Sequence, residues 1–220
     1  MTARDLKLDY FKFYDVPNHR IGEWVTIQGQ FDEAPERVNL LYLDGFGNAV
    51  SKNREPIFDR SSHLAWYAVF DPAPEPMRRV IVENQFGQQR LIIGPARGFL
   101  APARKFVKGS VFPARLDHFK VYRVLEGAPV DQGVALQDQF GRDKVRVADP
   151  IGFAVPVSKE HGGTTTPVKN KRAHLVIYRI TPRTVRKDAL IRDQFGRRGI
   201  VTQRSVLLAA PSVKLDWKVV

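Results

Sequence analysis

Apolar residues along this chain come in short runs broken by turn formers. Val80-Ile81-Val82, Val134-Ala135-Leu136 and Leu190-Ile191 each lead into a Gly-containing turn, and Leu91-Ile92-Ile93, Val145-Arg146-Val147 and Ile200-Val201 resume soon after it. Runs this short, separated by turn residues, predict paired strands joined as hairpins. No stretch sustains a helical period, and proline recurs too often to allow one. The chain is therefore expected to be almost wholly β.

The runs repeat. Gln85-Phe86-Gly87, Gln139-Phe140-Gly141 and Gln194-Phe195-Gly196 follow a degenerate Gln30-Phe31-Asp32 at steps of 55, 54 and 55 residues. Upstream of each is a second block: Tyr10-Phe11-Lys12-Phe13-Tyr14, His63-Leu64-Ala65-Trp66-Tyr67, His118-Phe119-Lys120-Val121-Tyr122 and His174-Leu175-Val176-Ile177-Tyr178. Downstream is a third, over residues 99–105, 153–159 and 208–214, with Pro102, Pro156 or Pro211 three residues before a lysine; repeat one keeps Phe46 and Lys52 but has Ala49. A fixed period marks a repeat architecture. Four units of about 55 residues with three strands each predict roughly twelve strands. The glycine after each Gln-Phe is expected to supply a positive φ, and repeat one, with Asp32 there, a longer turn around Glu33-Ala34-Pro35-Glu36. The Pro-rich run at residues 71–76 and the insertion at 158–172 read as loops, the insertion as the most mobile part.

We expect two packed pairs of units, residues 1–110 and 111–220, forming β-sandwich or barrel-like lobes. A four-bladed propeller is the alternative, weakened because a blade usually has four strands.

The 220 residues include 35 Lys and Arg, 23 Asp and Glu, and no Cys. Zero cysteine excludes thiol catalysis, CxxC redox chemistry and Cys-based zinc sites. No apolar run approaches the ~20 residues of a membrane span, and residues 1–10 lack the apolar region of a signal peptide, so a soluble chain is expected. The net charge of +12 is uneven. Residues 1–50 carry five basic and eight acidic side chains, residues 151–200 eleven and three. One reading is a basic face that meets an anionic partner; the other is the solvated side of strands, favoured where charges alternate with apolar residues.

The order His-Leu-x-x-Tyr, Asp/Asn-Gln-Phe-Gly, Leu-x-x-Pro-x-x-Lys resembles a tandem repeat of predicted secreted bacterial and archaeal proteins of uncharacterised function, and the resemblance spans nearly the whole chain. It implies structural motifs and no activity. Members of that family often carry one Cys just before the Tyr and another two residues before the Pro. Here those positions are Phe13 and Gly47, Trp66 and Leu100, Val121 and Ala154, Ile177 and Ala209. If the family's cysteines pair, the resemblance implies that the first and third strands of a unit are neighbours. It also implies that a larger side chain set against Gly or Ala fills the lost bridge in three units. Lacking cysteine, the chain departs from the family's pattern, which puts the family's secreted setting in doubt for it and leaves the compartment open.

Candidate chemistry is sparse. His63, His118 and His174 share one repeat position, which favours a structural role such as capping a strand end over a metal cluster. Tyr14, Tyr67, Tyr122 and Tyr178 read as packing residues, and the repeated Gln as a partner for its own turn. Asp138 and Asp193 read as turn residues. No phosphate-loop, dinucleotide, zinc-protease or serine-hydrolase motif occurs, and no cofactor is expected. The basic run gives the candidate partner-binding residues Lys169, Lys171, Arg172, Arg183, Arg186, Lys187, Arg197 and Arg198. The expectation is a non-enzymatic structural protein that forms homo-oligomers head to tail, basic end to acidic end. The alternative is a module binding a polyanion, nucleic acid or acidic polysaccharide.

Overall fold

The computed structural model describes residues 6–70 and 74–220. Asp71, Pro72 and Ala73 of the Pro-rich run lie outside them. The strands are β1 (Tyr10–Gln28), β2 (Glu36–Lys52), β3 (His63–Phe70), β4 (Arg78–Asn84), β5 (Gly87–Lys105), β6 (His118–Gly127), β7 (Gln132–Asp138), β8 (Gly141–His161), β9 (Thr164–Thr166), β10 (His174–Asp193) and β11 (Gly196–Val219). All eleven belong to one antiparallel sheet.

The count differs from twelve for a local reason. In units one and four the first and second strands run on as single strands, β1 and β10, bent where the register slips between Asp15 and Glu23 and between Arg179 and Lys187. Pro17 and Pro182 fall within these slips. A bulge bends a strand and tolerates a residue without an N–H. Part of the insertion read as loop also forms strand: β8 continues to His161 and returns as β9 around Gly162 and Gly163, with φ of 55° and 74°.

Eight segments close a ring. The ladders run β1 to β2, β2 to β3, β3 to β5, β5 to β6, β6 to β8, β8 to β10, β10 to β11, and β11 back to β1. Each unit thus contributes a first strand and the second half of its third strand to the wall. The remaining hairpin of each unit is an arm, and the ring is not a plain barrel because each arm is hydrogen-bonded to the wall strand of the unit two steps away. Thr26 pairs with Glu160, Val82 with Lys214, Gln137 with Ser51 and Ile191 with Lys105.

Side chains alternate across a strand. On one side of the wall, Phe11, Phe13, Leu64, Trp66, Phe119, Val121, Leu175 and Ile177 join Ala49, Leu100, Ala154 and Ala209 in one cluster drawn from all four units. This is the lumen, since an eight-stranded ring is just wide enough for side chains to fill. Outside, arm residues such as Val80, Leu136 and Val145 pack with Phe153 and Tyr178, while Val25, Ile191 and Ile200 pack with Phe99 and Tyr67. The four pairs at the resembled family's cysteine positions are direct cross-strand partners: Phe13 with Gly47, Trp66 with Leu100, Val121 with Ala154, Ile177 with Ala209. A Cβ on Gly47 would lie 2.8 Å from the Phe13 ring, so the phenylalanine already fills that space.

Residues 1–110 and 111–220 meet across the β5–β6 ladder as other neighbouring units do, and the β1–β11 ladder joins the ends. The barrel-like element is therefore one ring shared by four units. In a propeller each blade keeps its own sheet, which continuous ladders between units exclude.

Candidate functional site

The repeat motif builds a lock between units. In three hairpin tips the side-chain oxygen of Asn84, Asp138 or Asp193 accepts from the N–H of the Phe two residues on, at 2.8, 2.9 and 2.8 Å. This is the turn role expected of Asp138 and Asp193. Gly87, Gly141 and Gly196 follow with φ of 97°, 143° and 120°, a region that costs a residue with a Cβ. The tip then presents its Phe edge-on to a wall tyrosine two units away. Phe140 meets Tyr14, Phe195 meets Tyr67, Phe86 meets Tyr178 and Phe31 meets Tyr122, with centroids 5.2, 5.1, 5.3 and 5.5 Å apart. Tyr14 donates to Asp138 at 2.6 Å and Tyr67 donates to Asp193. Burial, with the adjacent carboxylate, pushes both phenols above their ordinary value, so they remain donors.

The lysine of the third block completes the lock. Lys105 Nζ lies 4.3 Å from the Phe140 centroid, Lys214 4.5 Å from Phe31 and Lys52 6.0 Å from Phe86, each reaching the tip of the next unit. Burial pushes Lys105 and Lys214 down to about 8.

The three repeat histidines begin β3, β6 and β10 and are buried. His118 stacks on Phe99 and His174 on Phe153, at 5.6 and 5.3 Å, and His63 tilts over Phe46 at 5.4 Å. The repeated Gln does not serve its own turn as expected. Because the tip comes to rest over the start of the preceding unit's wall strand, Gln194 reaches His118 at 2.8 Å, Gln139 approaches His63 at 3.5 Å, and Gln30 bonds His174. Burial pushes His63 down to about 3 and His118 and His174 to about 4. Among the described residues no group of three His, Asp or Glu could hold a metal ion.

Two buried lysines escape sequence reasoning. Lys12 lies 3.4 Å from Asp138 and 3.0 Å from Asp143; Lys120 meets Asp32, Glu36 and Glu75 at 2.9, 2.6 and 3.0 Å. Their only signal is a lysine shared by units one and three, where Ala65 and Val176 stand in units two and four. In a strand read alone, such a lysine looks like part of a solvated face.

The candidate basic residues occupy separate places. Lys169, Lys171 and Arg172 lie in the loop before β10. There Asp117 accepts from the backbone N–H groups of Lys169 and Asn170 at 2.7 and 2.9 Å, and Lys169 Nζ donates to the Leu116 carbonyl at 2.8 Å. Arg183, Arg186 and Lys187 belong to the bend of β10, about ten extended residues or on the order of 30 Å away. Arg183 approaches Asp143 at 3.4 Å. Arg197 and Arg198 belong to the fourth tip: Arg197 covers Phe106 at 4.7 Å, and Arg198, 12% exposed, reaches Asp193 at 3.5 Å.

Acidic groups of unit one are engaged within the chain. Arg204 takes Asp15 at 2.8 Å, His161 meets Glu23 at 3.2 Å, and Lys120 takes Asp32. Asp9, pushed up to about 6 by burial, accepts from the N–H groups of Phe58 and Asp59 at 2.7 and 3.0 Å.

Two hollows lie where the wall strands begin. One, of about 640 Å³, is lined by residues that include Leu8, Asp9, Ser62, Asp117, Phe119 and Ala173. The other, of about 550 Å³, separates the β2–β3 loop from the β5–β6 loop. Among the described residues no helix is long and apolar enough to cross a membrane. A family model described as a repeat of unknown function, DUF7450, matches residues 63–211, from the first residue of β3 to near the end of the fourth unit's wall strand. No curated protein and no solved structure matches the chain.

Proposed function

This chain belongs to the DUF7450 repeat family, and from that premise we propose that it is a non-enzymatic structural protein that assembles with copies of itself. The repeat motif serves to close and lock the ring, a role that supports a scaffold. The observation that carries self-association is the outer edge of β11. Beyond the wall, residues 213–219 pair on one side with β4, and among the described residues no strand pairs with the other. Leu215, Trp217 and Val219 are exposed there. An open strand edge is a template for another strand.

This edge is self-complementary. Two copies paired antiparallel about Trp217 set Asp216, which Arg79 also meets at 2.9 Å within its own chain, opposite Lys218 and Leu215 opposite Val219 in both directions. The β1–β11 ladder joins the first and last wall strands within one molecule, so we assign the contact between copies to this edge rather than to a head-to-tail arrangement.

Light scattering after size exclusion tests the reading. Asp216→Lys and Lys218→Asp should each shift the protein to monomer, and the two together should restore the dimer. A wild-type monomer at the highest soluble concentration and low salt would sink it. The exposed Arg179, Arg183, Arg186 and Lys187 along β10 favour a second reading, polyanion binding. Loss of retention on heparin resin at low salt would count against that reading.

A further inference from the structure

We propose that the 550 Å³ cleft between the β2–β3 and β5–β6 loops is a binding site for a tetrahedral oxyanion, a sulfate or phosphate group. This stands apart from self-association through β11. Arg54, Arg60 and Lys108 line the cleft, and among the described residues none of them makes a hydrogen bond or ion pair. The carboxylates in its wall are already matched: Glu55 by Lys52 at 3.2 Å, Asp138 by Lys12 at 3.4 Å. Three positive charges therefore face one hollow without a counter-charge.

The backbone holds one of them there at a cost. Asn53 and Arg54 take φ of 49° and 71°. Asn53 is pinned to β7, its N–H donating to the Ala135 carbonyl at 2.8 Å and its Oδ1 accepting from the Ala135 N–H at 2.9 Å. A left-handed arginine beside a pinned turn is strain of the kind that collects at binding sites.

The wall also carries a donor without an acceptor. Asp138 only accepts, so Asn48 donates to it through Nδ2 at 3.3 Å; Asn48 Oδ1 then accepts from Gln139 Nε2 at 3.2 Å. That amide nitrogen can only donate, so across 3.5 Å it meets an unprotonated His63 Nε2. This orientation of the amide favours the neutral imidazole with its proton on Nδ1, which is buried and, among the described residues, has no partner. In unit four the same atom lies 3.0 Å from the Arg172 carbonyl. A buried N–H with no acceptor is destabilising. An oxyanion seated among the three cations brings acceptor oxygens to the wall that holds this donor.

The test follows the His63 ring nitrogens by ¹⁵N–¹H NMR while inorganic sulfate, inorganic phosphate and a sulfated disaccharide are titrated separately. A saturable shift of the Nδ1 signal is expected with at least one probe. Arg54→Glu, Arg60→Glu and Lys108→Glu, all at exposed positions, should each weaken binding at least tenfold with an unchanged melting curve, whereas Lys171→Glu and Arg186→Glu should not. Tighter binding of the disaccharide assigns the group to a sulfate ester, and equal binding to a free anion. No saturable shift with any probe, or charge reversals that leave binding unchanged, would overturn the proposal.

Discussion

A disulfide placed across the wall tests the ring directly. Val121 and Ala154 face one another across the β6–β8 ladder, and both point into the lumen. Directly opposite residues in an antiparallel pair have Cα atoms about 4.5–5.5 Å apart, within the range a disulfide spans. The double variant Val121→Cys with Ala154→Cys should therefore oxidise to a bridge. Chain entropy for a closed loop of roughly 34 residues gives about 4 kcal/mol of stabilisation over the reduced form. For a protein of this size that is an increase in melting temperature of roughly 8–15 °C. Trimming Val121 costs about 1 kcal/mol in both redox forms, so it cancels in the comparison. Thiol titration and non-reducing electrophoresis report the bridge, and melting with and without reductant reports its effect. Val121→Cys with Val155→Cys is the control, because Val155 faces the outer cluster and no bridge should form. Free thiols in the 121/154 variant, or oxidised and reduced forms that melt together, would refute the pairing of first and third strands.

Two further outcomes follow from the buried charges and histidines. Burial by itself pushes Lys120 down, but Tyr122 and the surrounding carboxylates more than reverse this, so its ammonium persists far into alkali. Lys120→Met strands those carboxylates and should cost about 3–5 kcal/mol in urea denaturation, partly recovered by adding Asp32→Asn and Glu36→Gln; a loss below about 1 kcal/mol would mean the cluster is solvated. His118, at about 4 folded against 6.5 as its ordinary value, is held neutral. The unfolded chain takes up the proton first, so the stability this group contributes is complete above pH 6.5 and is lost as pH falls towards 4. His118→Gln should therefore be less stable than wild type at pH 7, and the gap should narrow by on the order of 3 kcal/mol towards pH 4. Parallel urea midpoints for the two proteins across that range would contradict the burial of a neutral ring.

Short-range chemistry was legible in the sequence because each feature is decided within a few residues. The hairpin at Gln139-Phe140-Gly141 follows from a glycine that alone tolerates the required φ and from Asp138 capping the turn. That His63, His118 and His174 stand at equivalent places, each opening a wall strand, followed from their recurrence at one repeat position. Neighbouring first and third strands followed from paired positions in a resembled repeat.

What lies beyond a unit was not legible. Nothing local says that the Phe140 tip lands on Tyr14, two units away, or that Gln139 leaves its own turn for His63. Those contacts cross from one unit to another, and their counterpart between Gln30 and His174 exists only once the β1–β11 ladder closes the ring and makes unit four a neighbour of unit one. For the same reason Lys12 and Lys120 look like surface residues in sequence, and the basic run from 169 to 198 looks like one patch. An arm folding over the outer wall buries the first two, and the bend of β10 divides the second between opposite ends of a strand. The sequence by itself determined a β-rich chain of four units with fixed turns, because turn geometry and alternation act over a handful of bonds. Only the tertiary structure decided which charges are buried, which are left facing the cleft and which strand edge stays open, because those depend on what the other units cover.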